Sequence, residues 1–282
     1  MPTPTLREAF AHAELDARPT DIERLQAQML LRDVSAHLVT EGRVADTVIQ
    51  GSFARGTSCR PLTDVDLVAV LDQSMERLAD EPGGATEAIE GVYSALAELP
   101  RSYELSQSPR SIRLRLRGGP AVDISVGIPA RNGSLGDDIL IADLREDAWR
   151  MANPQELARV VSERDERLQQ NFTRQVRLVK AAISNLRQNA CSRLPGFIVE
   201  SLAFSAVMEV CSDEEAVART LRSGAERLGG EIMDPTGRHD VSEKMGPLGA
   251  REWKSILGRS SDGLLSRDAE DRWRGIFGPG FI

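Results

Sequence analysis

The segment that most restricts what this chain can fold into is VIQGSFARGTSCRPLTDVDLVAVL, Val48 to Leu71. An apolar run ends in a glycine-rich loop, and a second apolar run opens on two aspartates. Val44 to Gln50 reads as a buried strand, Gly51 to Gly56 as a tight loop and Val65 to Leu71 as a second strand. Side chains two apart on a strand point to the same face, so Asp64 and Asp66 project together while Val65 and Leu67 face the other way. Further along, Ile112, Leu114 and Leu116 alternate with Arg113, Arg115 and Arg117. A Gly-Gly-Pro turn follows, and Val122, Ile124 and Val126 alternate again, which predicts a β-hairpin. On that second strand Asp123 falls opposite the apolar residues. If it lies beside Val65–Leu71, three acids share one sheet surface. Three carboxylates that close repel one another and call for cations. An isolated Asp-x-Asp is more often a solvated turn, and the loop before it is what changes the reading.

That loop, GSFARGTS (Gly51 to Ser58), has the glycine spacing of a P-loop, but Thr57 stands where the lysine is required. It is not GxGxxG either. What remains is a loop whose backbone N–H groups and hydroxyls can hold a triphosphate ahead of a metal-binding pair of aspartates.

The rest of the chain sets the surroundings. From Thr20 to about Val39, the residues Ile22, Leu25, Met29, Leu30, Val34 and Leu38 recur at three and four, predicting a long amphipathic helix capped by Thr20 or Asp21. Ala85 to Leu99 reads as helical. Beyond Asp143 the pattern turns to helices at Pro154–Arg164, Leu168–Leu186, Phe197–Val210 and Asp213–Leu228. In the second of these, Phe172, Val176, Val179, Ile183 and Leu186 form one apolar face. The expected organisation is an α/β front half, residues 1–145, and a helical back half, residues 146–282.

Composition narrows the chemistry. The 282 residues carry a net charge of −8, which leans toward small nucleotide substrates rather than a stable grip on nucleic acid. No apolar run reaches membrane-spanning length, and MPTPTLREAF does not read as a secretory signal. Cys59, Cys191 and Cys211 form no CxxC and suit a reducing cytoplasm. His12, His37 and His239 are too scattered for zinc, so any metal is expected to be a hard cation on carboxylates, magnesium or manganese. The His239–Asp240 pair reads as part of a loop, and Trp149, Trp253 and Trp273 as packing. Arg174, Arg177 and Lys180 recur every three residues beside the apolar stripe. The hairpin arginines read as an exposed strand face in preference to a nucleotide-facing one.

With its GS…GT…DVD run and the third aspartate in VDISVGIPA, the chain resembles the DNA polymerase β-type nucleotidyltransferase superfamily. DAWRMANPQEL, RLVK, DPTGRHDV and WRGIFGPGF are similar to segments of the bacterial cGAS/DncV-like nucleotidyltransferases (CD-NTases), from about residue 20 to the end. The resemblance implies an α+β, two-lobed fold: a mixed-sheet catalytic lobe with a long N-terminal spine helix, and a C-terminal helical lobe closing the nucleotide cleft. It also implies a synthase of cyclic di- or trinucleotide second messengers for antiphage signalling. Nucleoside triphosphates are the implied substrates, ATP among them, with a downstream effector reached through the product and room for a regulatory protein partner. Gln50, Gly51 and Ser52 would touch the triphosphate. Asp64, Asp66 and Asp123 would be catalytic and hold two Mg²⁺ or Mn²⁺ ions, with Asp123 helping to deprotonate the attacking hydroxyl. Lys180 would clamp the triphosphate. The implied reaction is in-line attack of a ribose hydroxyl on the α-phosphorus with pyrophosphate leaving. The family's phosphate-binding serine after that lysine has no counterpart where Pro195–Gly196 stand; Ser192, Ser201 or backbone N–H groups are the candidates to replace it. Two other readings stay open: transfer to another acceptor, such as a tRNA 3′ end or a small molecule, and a nucleotide sensor without activity.

Overall fold

The computed structural model describes residues 5–41, 44–100, 102–130, 138–266, 269–278 and 280–281. The chain groups into two compact units. One gathers Pro19–Gly56 and Pro61–Ala158; the other gathers Met1–Arg18, Thr57–Arg60 and Arg159–Ile282. Neither is a single run of sequence.

In chain order the elements are α1 (Leu6–Ala17), α2 (Asp21–Thr40), β1 (Val44–Gln50), α3 (Gly51–Ala54), β2 (Asp64–Leu71), α4 (Gly84–Leu96), β3 (Tyr103–Gln107), β4 (Ile112–Leu116), β5 (Ala121–Pro129), β6 (Ile139–Asp143), β7 (Ala148–Ala152), α5 (Pro154–Arg167), α6 (Phe172–Leu186), α7 (Gly196–Ala206), α8 (Asp213–Arg227), α9 (Pro247–Ser261) and α10 (Glu270–Phe277).

The first unit is built on a mixed sheet. Its path runs β1-β2-β5-β4-β3, with β6 on β5 and β7 on β6. Among the described residues the β2–β5 pair is parallel and the other pairs are antiparallel. The predicted hairpin is β4–β5, turned at Gly118 with φ +78°, a left-handed backbone that favours glycine. One sheet face is apolar: Val65, Leu67, Ile112, Leu114, Val122, Ile124 and Val126 are buried with Leu30, Leu31, Val34 and Leu38 of α2 and Ile89, Val92 and Leu96 of α4. Alternation then sends the intervening residues of the same strands to the opposite face, where polar side chains gather.

Helix α2 is the long helix the periodicity predicts, and Thr20 caps it through a reciprocal bond with Glu23. Half of the expected stripe, Leu30, Val34 and Leu38, is buried. Ile22, Leu25 and Met29 are exposed, and Ala27, Leu30, Leu31, Val34 and Leu38 face the core. At 3.6 residues per turn these two sets lie on nearly opposite faces of the cylinder, so one apolar run spelled two stripes and only one found a sheet.

The helical unit has its own core. Phe10 of α1 packs edge-on to Trp273 at 5.0 Å and to Phe281 at 5.1 Å. The expected α6 stripe is buried in full, from Phe172 to Leu186. The helix starts later than the pattern suggests because Gln169 and Gln170 adopt φ +58° and +61°, a left-handed pair that a right-handed helix cannot contain. Trp253 and Trp273 are core residues, and Trp149 in the sheet unit donates to Leu78 O at 3.1 Å. His239 and Asp240 stand exposed in a loop, where Asp240 accepts from Ser242 and Ile232 N–H groups. No helix among the described residues is long and apolar enough to cross a membrane.

Candidate active site

The site is a row drawn across the polar face of the sheet. Register pairs Gln50 with Asp66, Asp66 with Asp123, and Asp123 with Arg113. Residues directly opposite on neighbouring strands point to the same side, so four adjacent strands contribute one polar side chain each, in line. Asp64, two residues before Asp66, adds a third carboxylate to that face. The cluster expected from alternation alone is therefore assembled by the parallel β2–β5 pairing.

Glycine at position 51 is a steric requirement. It has φ +74°, and a Cβ built there would lie 1.8 Å from Asp66 Oδ2. The chain leaves β1 at Gln50, turns at Gly51 into the short helix α3, and passes its backbone against the Asp66 carboxylate. Gln50 Nε2 donates to Ser125 Oγ at 3.3 Å, which fixes the amide over β5. Ser52 is half-buried at the start of α3.

Arg113 lies on the polar face that its phase predicts, and there it meets the acids in preference to open solvent. Its Nε donates to Asp123 Oδ1 at 2.7 Å, and its Nη2 to Asp123 Oδ2 at 2.6 Å and Asp64 Oδ2 at 3.1 Å. The Asp123 contact is bidentate, the arrangement that makes Arg–carboxylate pairs strong. Hydrogen bonding to Asp123 raises the guanidinium pKa further, outweighing the opposing effect of burial. The signal was available: Arg113 is in phase with Arg115 and out of phase with the apolar positions of its strand, which puts it on the acid face once the hairpin is paired.

Three carboxylates on one face are the donor type that hard divalent cations prefer, and the missing Cβ at Gly51 leaves room beside Asp66. The residues thus fit a magnesium or manganese site in kind. As the side chains stand, no trio of His, Cys, Asp or Glu among the described residues has metal-holding geometry, and Arg113 engages the oxygens of two of the three acids.

Lys180 lies on α6 in the helical unit. Its Nζ donates to Glu200 Oε1 at 2.6 Å, to Thr57 O at 2.9 Å and to Thr57 Oγ1 at 3.4 Å. Thr57 is the residue at which a P-loop would carry its lysine, so an ammonium from a distant helix is bound where the loop lacks one. Arg177, one turn earlier, pairs with Glu14 of α1 at 2.5 Å, and Arg174 with Asp213 at 2.5 Å; both arginines are structural partners. The two candidate serines are engaged elsewhere. Ser201 is buried and donates to Phe197 O at 3.0 Å, and Ser192 Oγ donates to Glu252 at 2.6 Å.

No protein-family model matches the sequence, and no curated protein matches it. Solved structures do match. The chain is similar to the Bradyrhizobium diazoefficiens CD-NTase CdnG in complex with GTP, with a TM-score of 0.80 at 17% identity over 99% of this chain and 97% of that one. It is similar to Escherichia coli MS115-1 CdnC with ATP, at 0.74 and 15% over 98% of each chain. The Elizabethkingia meningoseptica CdnE cyclic dinucleotide synthase with GTP and Apcpp follows at 0.71 and 14%, over 92% of this chain and 98% of that. The fold is that of the CD-NTases, over nearly the whole chain.

Proposed function

We propose that the protein is a metal-dependent nucleotidyltransferase that joins nucleoside triphosphates into a cyclic di- or trinucleotide messenger and releases pyrophosphate, in the setting of antiphage signalling. The observation that carries this reading is the in-register row Gln50–Asp66–Asp123, with Asp64 on the same face, beneath the Gly51 turn. Asp64, Asp66 and Asp123 hold two Mg²⁺ or Mn²⁺ ions, which when bound supply charge neutralisation on the phosphates and a more acidic attacking hydroxyl. The carboxylate of Asp123 accepts the hydroxyl proton. Gln50, Ser52 and the Gly51 backbone orient the triphosphate. The sheet-bearing lobe carries the chemistry, and Lys180, bonded to Thr57 of the glycine loop, is a further triphosphate contact. With Ser192 and Ser201 both engaged, the backbone N–H groups at the start of α7 take the role of the family's serine. That the structures with this fold were solved with GTP or ATP supports nucleoside triphosphates as substrates.

The test is direct. The protein is incubated with the four nucleoside triphosphates and Mg²⁺ or Mn²⁺, and the products are treated with phosphatase. A resistant cyclic product is expected, and Asp64→Ala or Asp66→Ala is expected to abolish it while leaving a folded protein by circular dichroism. Retained turnover in either variant overturns the assignment. Labelling that requires an added tRNA or small-molecule acceptor moves the reading to that transfer.

A further inference from the structure

Resting on the metal-site reading above, we infer that Arg113 is a built-in counter-cation of the acid cluster, and that it competes with incoming metal ions for the carboxylates of Asp64 and Asp123.

Three acids gathered on one face of a sheet need compensation whether or not a metal is present. Arg113 provides it from the adjoining strand. It uses both oxygens of Asp123 and one oxygen of Asp64. A cation held by Asp64 and Asp123 draws on the same oxygens, and two positive groups on one pair of carboxylates repel each other and weaken each other's hold. The competition follows from the register Arg113↔Asp123, which fixes the guanidinium opposite that carboxylate.

The same geometry lets the arginine leave. Its side chain is 37% exposed, against 22% for Asp123 and 52% for Asp64. A long side chain at that exposure can rotate into solvent without leaving a buried charge behind, so displacement costs the hydrogen bonds and little else. Arg113 therefore offsets part of the cluster's negative charge and lowers its metal affinity until a dication outcompetes it.

The experiment reads metal binding and needs no turnover. Titration of the full-length protein with Mn²⁺ alone, followed by the electron paramagnetic resonance signal of the free ion, gives an affinity for wild type, Arg113→Met and Arg113→Lys. Arg113→Met should bind Mn²⁺ on the order of tenfold more tightly, the scale of the charge-assisted bonds no longer to be broken. Arg113→Lys, which keeps the charge and loses the fork, should fall between. It also answers the question if the methionine variant does not fold. Adding Asp123→Asn to Arg113→Met should remove the gain. Equal Mn²⁺ affinity in wild type and both Arg113 variants overturns the counter-cation inference and leaves the metal site standing. No Mn²⁺ bound by any of the three proteins, with or without GTP, overturns the metal-site reading itself.

Discussion

The two charged centres of this molecule are neutralised in opposite ways. On the sheet, Asp64 and Asp123 share an arginine that is itself more than a third exposed. In the helical unit, Lys180 is paired with Glu200 at side-chain exposures of 14% and 4%. Water screens the first arrangement and reaches little of the second. A pair that water reaches can exchange partners even where it is bidentate, whereas a buried one is costly to break by halves because the orphaned charge stays in low dielectric. The carboxylates are thus held loosely and the ammonium firmly, which suits a metal cluster that has to be loaded and a cation that has to stay in position over Thr57.

The sharpest way to break this contrast is to remove one half of the buried pair. Lys180→Met should lower the unfolding free energy by about 3–5 kcal/mol, read from urea denaturation, because Glu200 then stays buried without the Lys180 ammonium. Replacing both, as in Lys180→Met with Glu200→Leu, should restore most of that loss. A single-variant cost below about 1 kcal/mol, the scale of an exposed pair, would mean that the two centres do not differ as described.

A smaller effect is expected at the turn that abuts the acids. Gly51→Ala must take a left-handed backbone and push a Cβ against Asp66 Oδ2, at 1.8 Å in the present geometry. We expect about 1–3 kcal/mol of destabilisation together with loss of cyclic product, because relief comes by moving the carboxylate. Full activity with an unchanged denaturation midpoint would show that the turn and Asp66 are not coupled.

How far the sequence could be read depends on whether the relevant interaction is local. Asp64 and Asp66 share a face by strand geometry alone, and the phase of Asp123 follows from its own apolar neighbours. Their meeting required only one parallel pairing. The pairing of Arg113 with the acids was not legible because it depends on which strand lies next to β4, and alternation does not say whether a polar face is solvent or site. Half of the α2 stripe failed for a related reason. Ile22, Leu25 and Met29 are as periodic as Leu30, Val34 and Leu38, and only packing against the sheet distinguishes them. Nor does any local pattern group α1 with helices more than 150 residues later; the T-shaped contacts of Phe10 do that.

The smallest expected effect is a rate that reports the tight packing of the helical unit from inside. Cys59 lies in the Thr57–Arg60 segment, with its Sγ donating to Arg177 O at 3.8 Å. Burial pushes its thiol up, against the lowering pull of Lys180 and Arg177. Cys191 is exposed, and Cys211 is half-buried with its thiol also raised by burial. Since the thiolate is the reactive form and access limits the rate, labelling by iodoacetamide at pH 8, followed by peptide mass spectrometry, should proceed at Cys191 first and at Cys59 last. Lys180→Met should speed Cys59 labelling only if losing the ammonium loosens the Thr57 segment. Removing that charge alone raises the thiol further and slows the reaction. The sign of the change therefore separates a segment held by the Lys180–Thr57 bonds from one held by its remaining contacts, and labelling of Cys59 ahead of Cys191 in the unmodified protein would overturn the tightly held description of this centre.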